Sequence, residues 1–269
     1  MAYASDLSNE QWDLLEPLLV TPGKRGPRFG ADLRRVVDGM CYIAHTGCQW
    51  RFLPAEFGPW TRVWSQFRRW SRNGTWALVL AELHAQAALA LGRMQAKPSM
   101  VVIDTHLARG ASNGGVIFHR RGGPYDYANG AKRIVAVDVT GLPLAGRVVS
   151  ASTPEPEAVE LLLADLAASG QNERLELVFI DRGTSKRRAR QLSATHDCDV
   201  RRVGWDEPPR DDKGQRIFRP IAHAWRVEVA HGLLGRQRRL ARSFENTCGS
   251  ASAWLQVACA ALVLRALAT

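Results

Sequence analysis

Two short apolar runs, each closing on an aspartate, constrain this chain more than anything else in it. They are Met100-Val101-Val102-Ile103-Asp104 and Leu175-Glu176-Leu177-Val178-Phe179-Ile180-Asp181. Runs this short and rich in β-branched residues read as buried strands rather than helices, and parallel sheets are where strands apolar on both faces occur. In an open α/β sheet, ligands bind beyond the carboxyl ends of the strands, so both aspartates are predicted to project into one crevice. Two carboxylates side by side repel, and a divalent cation is the usual remedy. The pattern therefore points first to a metal site.

With 269 residues the chain can bury one large core, or a core plus a small accessory domain. Its net charge of +10 favours a polyanionic partner, with nucleic acid before an anionic membrane and a merely soluble basic surface as the plain alternative. The excess is local: Lys24 to Arg72 holds ten basic residues against three acidic, and Arg182 to Arg242 holds sixteen against seven. The five cysteines (Cys41, Cys48, Cys198, Cys248, Cys259) are odd in number and lack CxxC spacing, which argues against a zinc ribbon or a disulfide framework. The longest apolar stretch, Trp254 to Leu264, is broken by Gln256 and reads as too short to span a bilayer. No charged-then-apolar leader opens the chain. A cytoplasmic, nucleoid-associated protein without membrane contact is expected.

Ser8-Asn9-Glu10-Gln11 has the form of a capping box, and Trp12, Leu15, Leu18 and Leu19 follow at helical spacing. Thr21-Pro22-Gly23 ends that helix, and Lys24 to Arg28 is a basic turn or arm, against phosphates or simply solvated. A second helix starts at Asp32 and stops at Gly47. In a third, Trp60, Val63, Trp64, Phe67 and Trp70 make an apolar stripe expected in the core. The opposite face carries Arg62, Gln66, Arg68, Arg69 and Arg72, the residues predicted to meet DNA. Trp76 to Ala87 makes a fourth. Residues 1–92 are thus predicted to form a small all-α, helix-turn-helix-like domain, with 93–99 as a linker and 100–269 as the catalytic domain.

Beyond Asp104, Arg109 to Arg133 contains six glycines together with His119, Arg120 and Arg121, and shows no periodicity. Ile134 to Thr140 and Leu144 to Ala151 read as a hairpin across Gly141, and Glu155 to Ala168 as an amphipathic helix. Ser185 to Ala194 is a basic helix, Val200 to Val203 a short strand, and Trp205 to Arg219 a polar loop. A long helix from about His223 to Leu240 precedes an apolar one from Ala251 to Ala266.

On the long helix Glu228 has His231, Gly232 and Gly235 on its side. Glycine costs roughly 1 kcal/mol per position in a helix interior relative to alanine. Two of them beside a glutamate suggest close approach, either by a nucleic-acid backbone or by another helix. Asp104, Asp181 and Glu228 form a set that can hold two Mg²⁺ ions for phosphoryl transfer, with Mn²⁺ as a substitute, because hard oxygen donors suit these ions better than zinc. Lys132, Arg133, Arg236, Arg238, Arg239 and Arg242 are predicted to hold phosphates.

The strings Leu7-Ser8-Asn9-Glu10-Gln11-Trp12, Thr46-Gly47-Cys48-Gln49-Trp50-Arg51 with Leu53-Pro54, Pro59-Trp60 leading into Phe67-Arg68-Arg69-Trp70, and Gly74-Thr75-Trp76 closely resemble the amino-terminal part of bacterial transposases of the insertion sequence 5 group. The resemblance continues through Val102-Ile103-Asp104-Thr105, Ala136-Val137-Asp138, the run ending at Asp181, and Gly235-Arg236 to Phe244-Glu245. It implies an α/β ribonuclease H-like catalytic core, a mixed sheet flanked by helices, with an Asp, Asp, Glu triad falling on Asp104, Asp181 and Glu228. It also implies metal-dependent cleavage of double-stranded DNA at terminal inverted repeats, joining of the 3′-hydroxyl to target DNA, and a homodimer or larger assembly. Departures flank the triad: Val229, Ala230 and His231 stand where arginine and an aromatic are usual, Ile134 stands where the family has histidine, and Arg182-Gly183-Thr184 replaces a Gly-Gly-Tyr-like turn. The alternative is a catalytically impaired, repurposed copy that acts as a sequence-specific DNA-binding protein. A structure-specific nuclease is a third reading. His106 shares the face of Asp104 and either orients the site or lines it passively, whereas His45, His84 and Asp138 are expected to serve packing and folding.

Overall fold

The computed structural model describes residues 3–20, 32–111, 130–204, 210–215 and 223–268. The arm Lys24 to Arg28, the segment with His119, Arg120 and Arg121, and most of the Trp205 to Arg219 loop lie outside the described residues. Four helices come first: α1 (Asn9–Leu19), α2 (Asp32–Thr46), α3 (Trp60–Asn73) and α4 (Thr75–Ala90). The capping box forms, since the Ser8 hydroxyl accepts from the Gln11 N–H while the Gln11 side chain accepts from the Ser8 N–H. Gly74 at φ +73° closes α3 and admits α4 at the next residue, a left-handed geometry that side chains disfavour.

The α/β part follows as β1 (Met100–Arg109), β2 (Gly130–Asp138), β3 (Pro143–Ser150), α5 (Glu155–Ala168), β4 (Leu177–Asp181), α6 (Lys186–His196) and β5 (Asp199–Val203). It closes with α7 (Trp225–Gly235), α8 (Arg238–Ala241) and α9 (Cys248–Leu267). Among the described residues the strands make one mixed sheet in the order β3-β2-β1-β4-β5. β2 runs antiparallel to β1 and β3, and β4 runs parallel to β1 and β5. The predicted hairpin turns at Gly141, whose φ of +90° is a conformation that glycine alone adopts readily.

Strand alternation divides the sheet between two cores. Val101, Ile103, Val178 and Ile180 face α5 and α6. Val102, Val135, Val137 and Phe179 face the other way, into a core that α1 to α4 share with α7, α8 and α9. The segment 93–99 therefore joins elements packed on one common core. The outer edge of β3 is covered by α9, because the Val148 N–H donates to Ser252 Oγ and the Gly146 carbonyl accepts from Gln256.

Four expectations are corrected. β1 does not stop at Asp104 but runs on to Arg109. The predicted long helix breaks at Gln237, which is extended at ψ 107° and separates α7 from α8. On α3 the core stripe is Val63, Gln66, Phe67 and Trp70, while Trp64 is 36% exposed beneath the Arg68 guanidinium. Lastly, the apolar carboxy-terminal helix extends to 20 residues with mean hydropathy 1.5, long and apolar enough by length and composition to cross a membrane. Its Trp254, Leu255, Val257 and Val263 are buried in the core with α4 and β3.

Candidate metal and nucleic-acid site

The site arises where the sheet splits. Among the described residues β1 pairs with β4 from Met100 to Val102 and continues beyond that point beside β2. Continuing the same register sets Asp104 beside Asp181, the last residue of β4. By alternation Asp104 and His106 share the face of Val102, and Asp181 shares that of Phe179, which is the face that α7 covers. The far end of β1 is held from the α8 side, where the Ser243 N–H donates to the Arg109 carbonyl at 2.8 Å. An open stretch of β1 with Asp104 at its head is left between these two anchors.

Helix α7 brings Glu228 to this opening. Its start is tied to the hairpin turn by Arg226, which donates to the Thr140 carbonyl at 3.0 Å. Glu228, Gly232 and Gly235 are exposed, and a Cβ built on either glycine meets nothing within 4 Å among the described residues. Close packing of another helix against these glycines is thereby excluded among the described residues.

Burial first, and then the charges of Glu155, Asp181 and Glu228 in that order, push the Asp104 carboxyl up against the downward pull of the Thr105 N–H, to about 6 overall. Glu155 was missed in the sequence, where it reads as an ordinary acidic residue in the first turn of a helix. Its Oε2 and the Asp181 Oδ2 both lie within 3.5 Å of the position a Cβ would take on Gly183. His231 was seen only as a neighbour of Glu228, yet its Nε2 stands 3.6 Å from Asp104 Oδ2, too far for a hydrogen bond. Burial, then the charges of His106 and Arg133, pull the His231 pKa down to about 4, so the ring is neutral near pH 7. The His106 ring lies 5.5 Å from it, centroid to centroid.

The donor set suits a hard dication: oxygen ligands whose mutual repulsion such an ion would relieve. Among the described residues, however, no three His, Cys, Asp or Glu side chains are drawn together tightly enough to hold a metal ion.

The predicted DNA-contacting residues divide by exposure. Arg62, Arg68, Arg69, Arg72, Arg236, Arg238 and Arg242 are exposed. Gln66 is 3% exposed and belongs to the core stripe, so it does not share the arginine face. Arg133 is buried within β2, which pulls its pKa down to about 10. Arg239 is ion-paired with Glu245 and lies over the rings of Phe244 and Trp254. Lys132 donates to the Thr153 carbonyl. Asp138 and His84 are structural partners, joined at 2.8 Å in the interior and away from the open face.

Residues 7–80 match the family described as "Putative transposase of IS4/5 family (DUF4096)". The insertion element IS402 uncharacterized 16.2 kDa protein of Burkholderia cepacia is 32% identical over 105 residues, 35% of this chain and 71% of the relative. The uncharacterized protein y4sN of Sinorhizobium fredii (strain NBRC 101917 / NGR234) is 33% identical over 85 residues, 31% of this chain and 66% of the relative. Among solved structures, the Mos1 strand transfer complex is similar at 11% identity and a TM-score of 0.33, over 88% of this chain and 72% of that one. The Mos1 paired-end complex with the left transposon end matches at 11% identity and a TM-score of 0.26, over 67% of this chain and 61% of that one. By the match over residues 7–80 and the insertion-element relative, of whose length the chain spans 71%, this protein belongs to the IS4/5 family of transposases.

Proposed function

We propose that the chain is a DNA transposase with a ribonuclease H-like core, in which Asp104, Asp181 and Glu228 hold divalent ions. The observation that supports this reading is geometric: the register of β1 against β4 brings Asp104 level with Asp181, beside the glycine-lined face of α7 that carries Glu228. Bound Mg²⁺ or Mn²⁺ would supply Lewis-acid stabilisation for in-line displacement at phosphorus. Asp104, held on the continuous strand β1, fixes the centre of the site, while Asp181 and Glu228 flank it from β4 and α7. Gly232 and Gly235 let a phosphate backbone pass close to Glu228.

The substrate is double-stranded DNA, the terminal inverted repeats and the target, bound by a homodimer or larger assembly. Residues 1–92 supply the DNA-binding helices, with a helix-turn-helix-like use of α3 through Arg62, Arg68, Arg69 and Arg72. Residues 93–99 connect them to the catalytic part, 100–269. The exposed Arg236, Arg238 and Arg242 extend the basic track past the active centre.

The test is a strand-transfer assay on labelled oligonucleotides from the gene's flanks, with Mg²⁺ or Mn²⁺, comparing the wild type with Asp104→Ala and Glu228→Gln. Joined products that disappear in both variants are expected, and full activity in Asp104→Ala sinks the assignment. The repurposed DNA-binding reading is favoured by one observation, that the acidic side chains are not gathered to metal-holding distance among the described residues. It predicts specific end binding that ignores Mg²⁺ and triad substitutions. Cleavage without joining would mark a nuclease.

A further inference from the structure

We propose that the cavity enclosed between β1, β2, α8 and α9 is an oxyanion site that takes a phosphate group, with Arg133 as its buried charge. That the phosphate belongs to DNA rests on the function proposed above, whereas the anion site stands on its own donors. Strand pairing sets Arg133 beside His106 and Val148, on the sheet face that α8 and α9 cover. Ala108 and Ala131 are small, and about 20 Å³ of space remains beneath Arg239, Arg242, Glu245 and Trp254. That is room for one water-sized group, such as a single phosphoryl oxygen, with the rest of the anion at the mouth, where Arg242 is exposed.

Three arginines line this cavity against one glutamate, and that glutamate is already engaged. One Glu245 oxygen is paired with Arg239, and the other accepts from the Ser250 hydroxyl at 2.6 Å. Arg133 is 7% exposed and has no carboxylate partner among the described residues. The group that offsets its burial is the Cys259 thiol, itself pushed up to about 12 by burial and therefore neutral near pH 7. Among the described residues, the buried side-chain atoms that line the cavity without a partner are both donors, the Trp254 Nε1 and the Arg239 Nε. Trp254 is 1% exposed, so water does not serve it from outside. Orphaned buried donors and an unpaired buried guanidinium are costly, and an oxyanion is the ligand that relieves both.

The test is calorimetric titration of the full chain with inorganic phosphate in a chloride buffer of constant ionic strength, alongside thermal unfolding without phosphate. The wild type is expected to bind phosphate saturably, and Arg133→Met to bind it more weakly by about tenfold or more. The midpoint of Arg133→Met without phosphate should be no lower, because an uncompensated buried charge is gone. Arg242→Gln, at the exposed mouth, should weaken phosphate by about threefold or more and leave the midpoint unchanged. No saturable binding in the wild type, wild-type affinity in either variant, or a less stable Arg133→Met overturns the proposal. Duplex oligonucleotides from the gene's flanks separate the two sources of phosphate. Competition between phosphate and duplex, with duplex affinity also lowered in Arg133→Met, identifies a DNA phosphate; undiminished duplex binding by that variant identifies free phosphate as the ligand. A wild type that binds phosphate but no duplex overturns the transposase reading and leaves the anion site standing.

Discussion

Asp138→Asn isolates a buried charge that organises the fold at the end of β2. Asp138 is fully buried at the end of β2. Its Oδ2 accepts from His84 Nε2 at 2.8 Å and from Arg93 Nη1 at 2.9 Å. Its Oδ1 accepts from the Thr140 N–H, the Thr140 hydroxyl and the Leu142 N–H. Burial alone would raise the carboxyl, but the bond and charge of His84, the Thr140 hydroxyl and the Arg93 charge outweigh it and pull the pKa down to about 2. An asparagine keeps the turn bonds through its oxygen yet presents an NH₂ group to the Arg93 guanidinium, donor against donor. At about 1.4 kcal/mol per pKa unit the depressed value corresponds to roughly 2.5 kcal/mol, and breaking a buried pair typically costs ~3–5 kcal/mol, so a loss of about 3 kcal/mol is expected. For a chain of this size that is a midpoint lower by roughly 6–12 °C. The folded pKa lies below the unfolded one, so this stabilisation is complete above about pH 4 and is lost as pH falls toward 2. Urea unfolding should show a lower midpoint concentration with an unchanged slope, and the variant should lack the wild type's decline across that acid window. A loss below about 1 kcal/mol, or an acid limb identical in both proteins, would refute the reasoning.

Three further outcomes follow from the same geometry. Asp38, pushed up to about 6 by burial against the opposing Leu7 N–H bond, holds a proton in the folded chain that the unfolded chain releases. Stability should therefore fall by up to about 2 kcal/mol as pH rises from 4 to 6, and Asp38→Asn should flatten that limb in pH-dependent urea titrations. Gly141→Ala imposes a side chain at φ +90° and should cost ~1–2 kcal/mol in the same assay. In DNA-binding titrations each of Arg62, Arg68, Arg69 and Arg72 changed to Gln should shallow the log–log salt slope by about 0.9. Changing Gln66, which is buried beside them, should leave the slope alone and lower stability instead.

The elements were legible wherever one face meets one partner. β-branched runs gave β1 and β4, the Ser8 box gave α1, and Gly141 gave the hairpin, because each signal is local. Asp104 as a mid-strand residue was not legible, since the crevice is made by β4 ending and not by β1 ending. Glu155 was hidden for the same reason: nothing near it in sequence says that α5 begins beside Asp181. On α3, hydropathy misled where angle decides. Gln66 lies about 70° from the centre of the Val63, Phe67 and Trp70 arc and Trp64 about 90° away, so the polar residue goes in and the indole out. The break between α7 and α8 shows the limit most plainly. Apolar spacing runs on through Leu234 and Leu240 without a proline, and Gly235, where α7 ends, reads in the sequence as one of two glycines inside a longer helix. The chain turns because α8 docks on the end of α2, where a Cβ on Gly47 would lie 3.1 Å from the Arg238 backbone. That contact joins residues far apart in sequence, and only the folded core brings them together.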